Sequence, residues 1–203
     1  MGVSGPGTFA AAVSCLFGKM IIETIFSTID ETGKPNFAPM GLGWDDELPT
    51  VRPFRNTRTY RNLASSGYGV ANLSDDVLAY VRCGLYKEVL PSFPAKAIPG
   101  AVFESTCSWR EMEVVSEGEI DDRPEFRCRV LHKGRQKDFL GFCRAGNAVI
   151  EAAILASRLA LCDRKIVDEK LMEYMKIVEK TGDFAEKHAF RLIQDYVCRQ
   201  GGR

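Results

Sequence analysis

Between residues 20 and 44 the hydrophobic pattern has the short period of a strand. MIIETIFSTID alternates and is rich in Ile, Thr and Phe, ETGKP supplies turn residues, and NFAPMGLGW resumes the extended pattern, so a hairpin is predicted. DDELP makes a second turn and TVRPF a third strand, with Pro53 marking an edge or a bulge. Over residues 57–66 the period lengthens to that of a short helix closed by Gly67, and YGVANLS returns to strand. DDVLAYVRCGL opens on a capping aspartate and predicts a second short helix, followed by a long ordered loop over 86–106. CSWREMEVVSEGEI and EFRCRVLHKGRQKDFL carry charges at alternate positions, as two strands with one wet face do, and DDRP joins them.

After residue 144 the character changes abruptly. AGNAVIEAAILASRLALC is apolar nearly all round, as in a helix covered on several sides. IVDEKLMEYMKIVEKTG keeps Val167, Leu171, Tyr174, Met175 and Val178 on one stripe. Asp183 and Glu186 form a capping box ahead of a third helix that turns Phe190, Ile193 and Val197 inward. The expected architecture is mainly β with α: a mostly antiparallel sheet followed by three helices. It divides into an N-terminal extension (1–19), a β domain (20–143) and a C-terminal helical segment (144–203).

Composition narrows the function classes. The 203 residues are enough to bury a real core. Lys plus Arg (27) equal Asp plus Glu (27), so no global field recruits nucleic acid or an acidic membrane, and any anion must be recognised locally. Seven cysteines are dispersed singly with no C-x-x-C, which fits reduced thiols in a cytoplasm. The two histidines, His132 and His188, lie near no paired ligand, so no metal is expected. TFAAAVSCLF near the start follows no Lys or Arg and does not read as a signal peptide. No apolar run reaches the eighteen residues of a membrane span.

Charge nevertheless concentrates at one place. VRPFRNTRTYRNL (51–63) holds Arg52, Arg55, Arg58 and Arg61 where a strand gives way to a helix. Cations in the first turn of a helix are disfavoured by about 0.3–1 kcal/mol unless an anion sits there. With the hydroxyls of Thr57 and Thr59 and the free N–H groups of the helix start, these guanidinium forks make a phosphate cradle. A second reading stays open beside it: a solvated cationic face paired with Asp45, Asp46 and Glu47. No G-x-G-x-x-G or Walker A sequence is present to hold a phosphate otherwise. In NFAPMG (36–41), Pro39 and Gly41 are expected to interrupt a strand and leave backbone groups for a flat heterocycle, or else to form an ordinary bulge.

Taken together, NFAPMG, VRPFRNTRTYRNL, YGVANLSDDVL and RAGNAVIEAAILASRL make the chain resemble the FMN-binding split-barrel superfamily, in the branch whose barrel is followed by C-terminal helices. The resemblance runs over residues 20 to about 200. It implies a six-stranded antiparallel split barrel that pairs as a homodimer, with FMN in each interface cleft. It implies a flavin ring lying against Ala38, Pro39, Met40 and Gly41, and a phosphate on Arg52, Arg55, Thr57, Arg58 and Thr59. Asn72 would add a polar contact and Arg144 would reach across the interface. FMN has a terminal phosphate and no second nucleotide, which agrees with a cationic corner in a chain without a dinucleotide fingerprint. The function implied is an FMN-dependent oxidoreductase, with a non-catalytic FMN carrier or sensor as its rival. The branch resembled is one associated with tetrahydromethanopterin one-carbon chemistry.

Overall fold

The computed structural model describes residues 20–200; the expected N-terminal extension, 1–19, lies outside the described residues. Strands β1 (Ile21–Ile29) and β2 (Pro35–Gly43) form the predicted hairpin, in unbroken register from Ile21↔Gly43 to Ile29↔Pro35. β3 is only Thr50–Val51, because Pro53 has no N–H to extend the ladder. Next come α1 (Arg58–Ser66), β4 (Tyr68–Leu73) and α2 (Val77–Leu85). The predicted loop contains a small hairpin, β5 (Ser92–Pro94) and β6 (Ala101–Phe103). Two long strands follow, β7 (Ser108–Ile120) and β8 (Arg123–Arg135). Six strands close into an antiparallel barrel in the order β1-β2-β3-β8-β7-β4.

Helices α3 (Arg144–Ser157), α4 (Arg164–Thr181) and α5 (Phe184–Gln200) follow the barrel. Five α-helices among the described residues make the fold mixed α/β rather than mainly β. The count of three after the barrel also omits a 3-10 turn at Leu159–Leu161. The apolar run to Cys162 does not continue as helix: α3 ends at Ser157, Arg158 caps it, and the short turn takes over.

Strand alternation sorts the core into an inside and an outside. Phe26, Leu42, Val51, Leu63, Ala71, Met112, Phe126 and Cys128 fill the barrel. On its outer surface, Ile25 and Phe37 pack with Ala79, Tyr80 and Cys83 of α2. The opposite face of α2, with Val77, Val81 and Leu85, joins the C-terminal helices. That explains the nearly uniform apolarity of α3: its Ala145, Ala148, Ala152 and Ala156 are buried in the same cluster, where small side chains let neighbouring helices approach. Burial pushes the Cys83 and Cys128 thiols up to about 12, so both stay protonated.

The β5–β6 hairpin lies on the outside of the barrel, and two polar side chains hold it there. Asn72, fully buried on β4, donates to the Ile25 carbonyl (2.9 Å) and to Ser27 Oγ (3.2 Å), while its Oδ1 accepts from the Phe103 N–H (2.9 Å). Glu111, fully buried on β7, accepts from the N–H groups of Lys96 (2.9 Å) and Ala97 (2.5 Å) and from the Trp109 indole (3.0 Å).

Candidate functional site

The arginine corner has the geometry of a capped helix start. Thr57 is the N-cap of α1; its Oγ1 accepts from the Tyr60 N–H (3.2 Å), its carbonyl accepts from Arg61 N–H (3.3 Å) and its hydroxyl donates to the Phe54 carbonyl (2.7 Å). These bonds satisfy the third and fourth N–H groups of the helix. The first two, on Arg58 and Thr59, make no hydrogen bond among the described residues. Arg58 and Arg61 are exposed and make no ion pair among the described residues. At the far end of α1, Gly67 adopts φ 72° and returns its N–H to the Leu63 carbonyl, which lets β4 begin at once.

The other two arginines are held by the tip of the β7–β8 hairpin. Arg52 Nε donates to Glu125 Oε2 (2.6 Å), and Arg55 pairs with Glu119. Arg55 Nη1 also donates to the Tyr60 hydroxyl (3.3 Å), which donates to Glu117 Oε1 (3.4 Å). Arg123, the first residue of β8, lays its guanidinium 4.2 Å over the Phe54 ring and donates from Nη2 to the Arg52 carbonyl (2.5 Å). Its buried Nε has no hydrogen-bond partner among the described residues. Asp121 and Asp122 form the two-residue loop between Ile120 and Arg123, both with positive φ (51° and 59°), as a type I′ turn requires. Aspartate tolerates this backbone better than most residues.

The tip residues were absent from the sequence-based site. Arg123, Glu117, Glu119 and Glu125 stand more than fifty residues beyond the arginines, and their only signal is the run of charges on either side of the DD turn.

The candidate ring-binding residues lie on β2, which is continuous through Pro39 and Gly41 rather than interrupted. The proline is tolerated because β3 pairs with β2 only at Leu42 and Gly43, leaving residues 35–41 with one strand neighbour, β1. Side chains along this edge diverge. Met40 packs against the barrel interior, and Pro39 faces α2, where a Cβ at Gly84 would come within 3.0 Å of its Cγ. A Cβ at Gly41 would meet Ile21 Cγ2 at 2.7 Å and Glu23 Oε1 at 3.1 Å. Ala38 is half-buried. What the edge offers in common is therefore backbone. One hydrogen bond, Asn36 Nδ2 to Thr59 Oγ1 (3.3 Å), ties its start to the arginine corner, and Thr59 itself is buried.

Two candidates stand apart from this corner. Asn72 spends its amide on β1 and β6, as described above. Arg144 begins α3 and lines a cleft of about 270 Å³ whose other walls are Asn147, Ala148, Glu151, Tyr174 and Ile177, all on α3 and α4. Among the described residues no group of histidine, cysteine or carboxylate side chains could hold a metal ion, and no helix is long and apolar enough to cross a membrane.

The model described as the N-terminal domain of a protein of unknown function, DUF447, matches residues 22–137, and the model for the remainder of DUF447 matches 143–195. The chain belongs to the DUF447 family. Among solved structures, an FMN-bound DUF447 protein from Methanosarcina mazei is 27% identical with a TM-score of 0.77, over 90% of this chain and 98% of that one. The 2-nitrobenzoate 2-nitroreductase of Pseudomonas fluorescens is 14% identical, covering 67% of this chain and 77% of its own, with a TM-score of 0.50. An FMN-binding protein from Thermus thermophilus, crystallised with p-hydroxybenzaldehyde, is 16% identical, covering 67% and 79%, also at 0.50. These last two share with the DUF447 chain the barrel fold alone.

Proposed function

We propose that the chain binds FMN and acts as an oxidoreductase through it, with the phosphate at the arginine corner and the ring along the open edge of β2. The observation that carries this reading is the correspondence, over nearly its whole length, with an FMN-bound member of the same family. The donor set fits the group. A phosphate dianion needs several N–H donors and more than one cation, and the corner offers the free N–H groups of Arg58 and Thr59 beside the unpaired guanidinium of Arg58. Thr57 fixes the direction of these N–H groups by capping the helix. Arg52 and Arg55 border the corner on the hairpin side, each held by a carboxylate of the hairpin. The exposed edge of β2 provides backbone N–H and C=O groups for the rim of a flat heterocycle, and Pro39, pressed on α2, keeps that edge rigid. When bound, FMN would supply the electron chemistry, and the protein's contribution is holding and orienting it. Asn72 acts from behind as a positioning residue, keeping β1 and β4 in register beneath the site. Arg144, on a different face of its own chain, contributes from the second copy of a homodimer.

Titration of the dialysed protein with FMN, followed by flavin fluorescence, is the test. Arg58→Ala is expected to weaken binding roughly tenfold, the scale of one charge-assisted hydrogen bond to phosphate. The fold should be untouched, because Arg58 is exposed and unpaired. Wild-type affinity in this variant would remove the phosphate from the corner, and a wild-type protein that takes up no FMN would end the flavin reading altogether. Stopped-flow mixing with NADH, NADPH or a reduced deazaflavin then separates the two roles: bleaching with turnover marks an oxidoreductase, and no reduction by any donor marks a carrier or sensor.

A further inference from the structure

The carboxylate on Arg55 has a consequence for which anions the corner accepts. We propose that Glu119 is a specificity-determining residue: an internal counter-anion on Arg55 that the ligand's phosphate displaces, so that the corner admits dianionic phosphates and rejects carboxylates. The inference rests on the phosphate assignment made above, and it adds a residue from the β7–β8 hairpin to that site.

The hairpin tip is built to let go locally. Residues 115–122 are all exposed, and the Arg55–Glu119 pair leaves each side chain about half exposed (52% and 50%). Such a pair is screened by water and weakly held. Tyr60 and Glu117, the next contact, are joined by a long bond of 3.4 Å. Closer to the barrel the attachments are firmer. Glu125 is only 16% exposed where it meets Arg52, and Arg123 is stacked on Phe54. Glu119 can therefore leave Arg55, and Glu117 leave Tyr60, while Arg123 and Glu125 keep the hairpin's base in place.

Charge decides who enters. A carboxylate ligand would replace one single negative charge on Arg55 by another and gain little. A phosphate dianion brings more charge and three acceptor oxygens to a guanidinium fork and to the free N–H groups of Arg58 and Thr59. Glu119 thus keeps Arg55 from a ligand that brings only a single charge, whereas a dianion, with charge and acceptor oxygens to spare, displaces it. The released carboxylate returns to solvent, and no bond is made or broken.

The experiment compares wild type, Glu119→Gln and Glu113→Gln for binding of FMN, riboflavin, inorganic phosphate and acetate. Glu113 lies on the same hairpin, pairs with Arg129, and its substitution changes net charge equally. Glu119→Gln is expected to bind FMN and inorganic phosphate roughly threefold more tightly, to leave riboflavin unchanged and to let acetate compete with FMN. Glu113→Gln should match wild type throughout. Tightening of phosphate without any FMN binding would keep this inference and end the flavin reading. FMN binding that is unchanged in Glu119→Gln, or equally tightened in Glu113→Gln, would overturn the inference and leave the flavin reading standing. Binding of neither FMN nor phosphate by the wild type would overturn both.

Discussion

Asn72→Ala is expected to lower stability by about 3 kcal/mol, the combined cost of unpaired buried polar groups and a small cavity. The truncation leaves the Ile25 carbonyl, Ser27 Oγ and the Phe103 N–H without their partner in a region with no water access. Ser27 cannot compensate, because its single hydrogen is already committed to the Ala101 carbonyl at 2.5 Å. For a chain of this size the loss corresponds to a fall in melting temperature of roughly 6–12 °C. Asn72→Asp separates the two halves of the amide. Aspartate can still accept from Phe103, but it would set lone pairs against the Ile25 carbonyl, so it should be no more stable than alanine. Urea denaturation of the three proteins measures this directly. An Asn72→Asp protein as stable as wild type would mean that the donor half of the amide contributes nothing.

The second large effect belongs to Glu111. Burial alone would raise its pKa, but the N–H groups of Lys96 and Ala97 and the Trp109 indole outweigh it, and the carboxyl titrates below its ordinary value near 4.5. A carboxyl whose pKa is lower folded than unfolded stabilises the protein above the unfolded value, and this contribution is lost as pH falls through the folded one. Glu111→Gln keeps the shape but places an NH2 group against one of three N–H donors. It is expected to cost about 2–4 kcal/mol at neutral pH. The difference from wild type should shrink as both are taken below pH 4.5, because acid removes from wild type what the substitution has already removed. Hydrogen exchange at the Lys96 and Ala97 amides should quicken in the variant. A stability gap that stays constant down to acid pH would show that the ionised carboxylate is not what holds the β5–β6 hairpin.

The two predictions concern residues that the hydrophobic pattern could not single out, and the reason is physical. Periodicity reports which face of an element is buried, so β1, β2, β4, β7, β8 and the helices after Arg144 could be read from it. Local chemistry fixed several boundaries. Thr57 caps α1, Gly67 ends it in a left-handed backbone, and Glu186 accepts from the Asp183 N–H ahead of α5, as the capping box requires. Contacts between distant segments leave no such trace. Arg55 meets Glu119 only because a long hairpin curls back over the start of α1, and Asn72 meets Phe103 only because a proline-flanked loop folds onto the barrel. At the candidate site, the corner was visible as a cluster of charge. The divergence of Pro39, Met40 and Gly41 was visible too, in principle, because neighbouring strand residues point to opposite faces. Pro39 suggested a broken strand because proline forbids ladder pairing only on the side where its N–H is missing, and sequence does not reveal which side of β2 is open.

The long hairpin contains two irregularities of opposite sense. Glu111 pairs with His132 but Met112 with Val130, which leaves Leu131 extra on β8; Val114 pairs with Cys128 but Ser116 with Arg127, which leaves Val115 extra on β7. Each extra residue shifts the pairing by one, and a shift of one exchanges the two faces of a strand. The second cancels the first, so Glu117 and Glu119 arrive at the tip on the side that meets Tyr60 and Arg55. The hairpin therefore tolerates exchange of letters far better than a change in their number. Deleting Leu131 alone would put the tip out of phase with the arginines, and deleting Val115 as well would bring it back, so in this stretch two losses are milder than one.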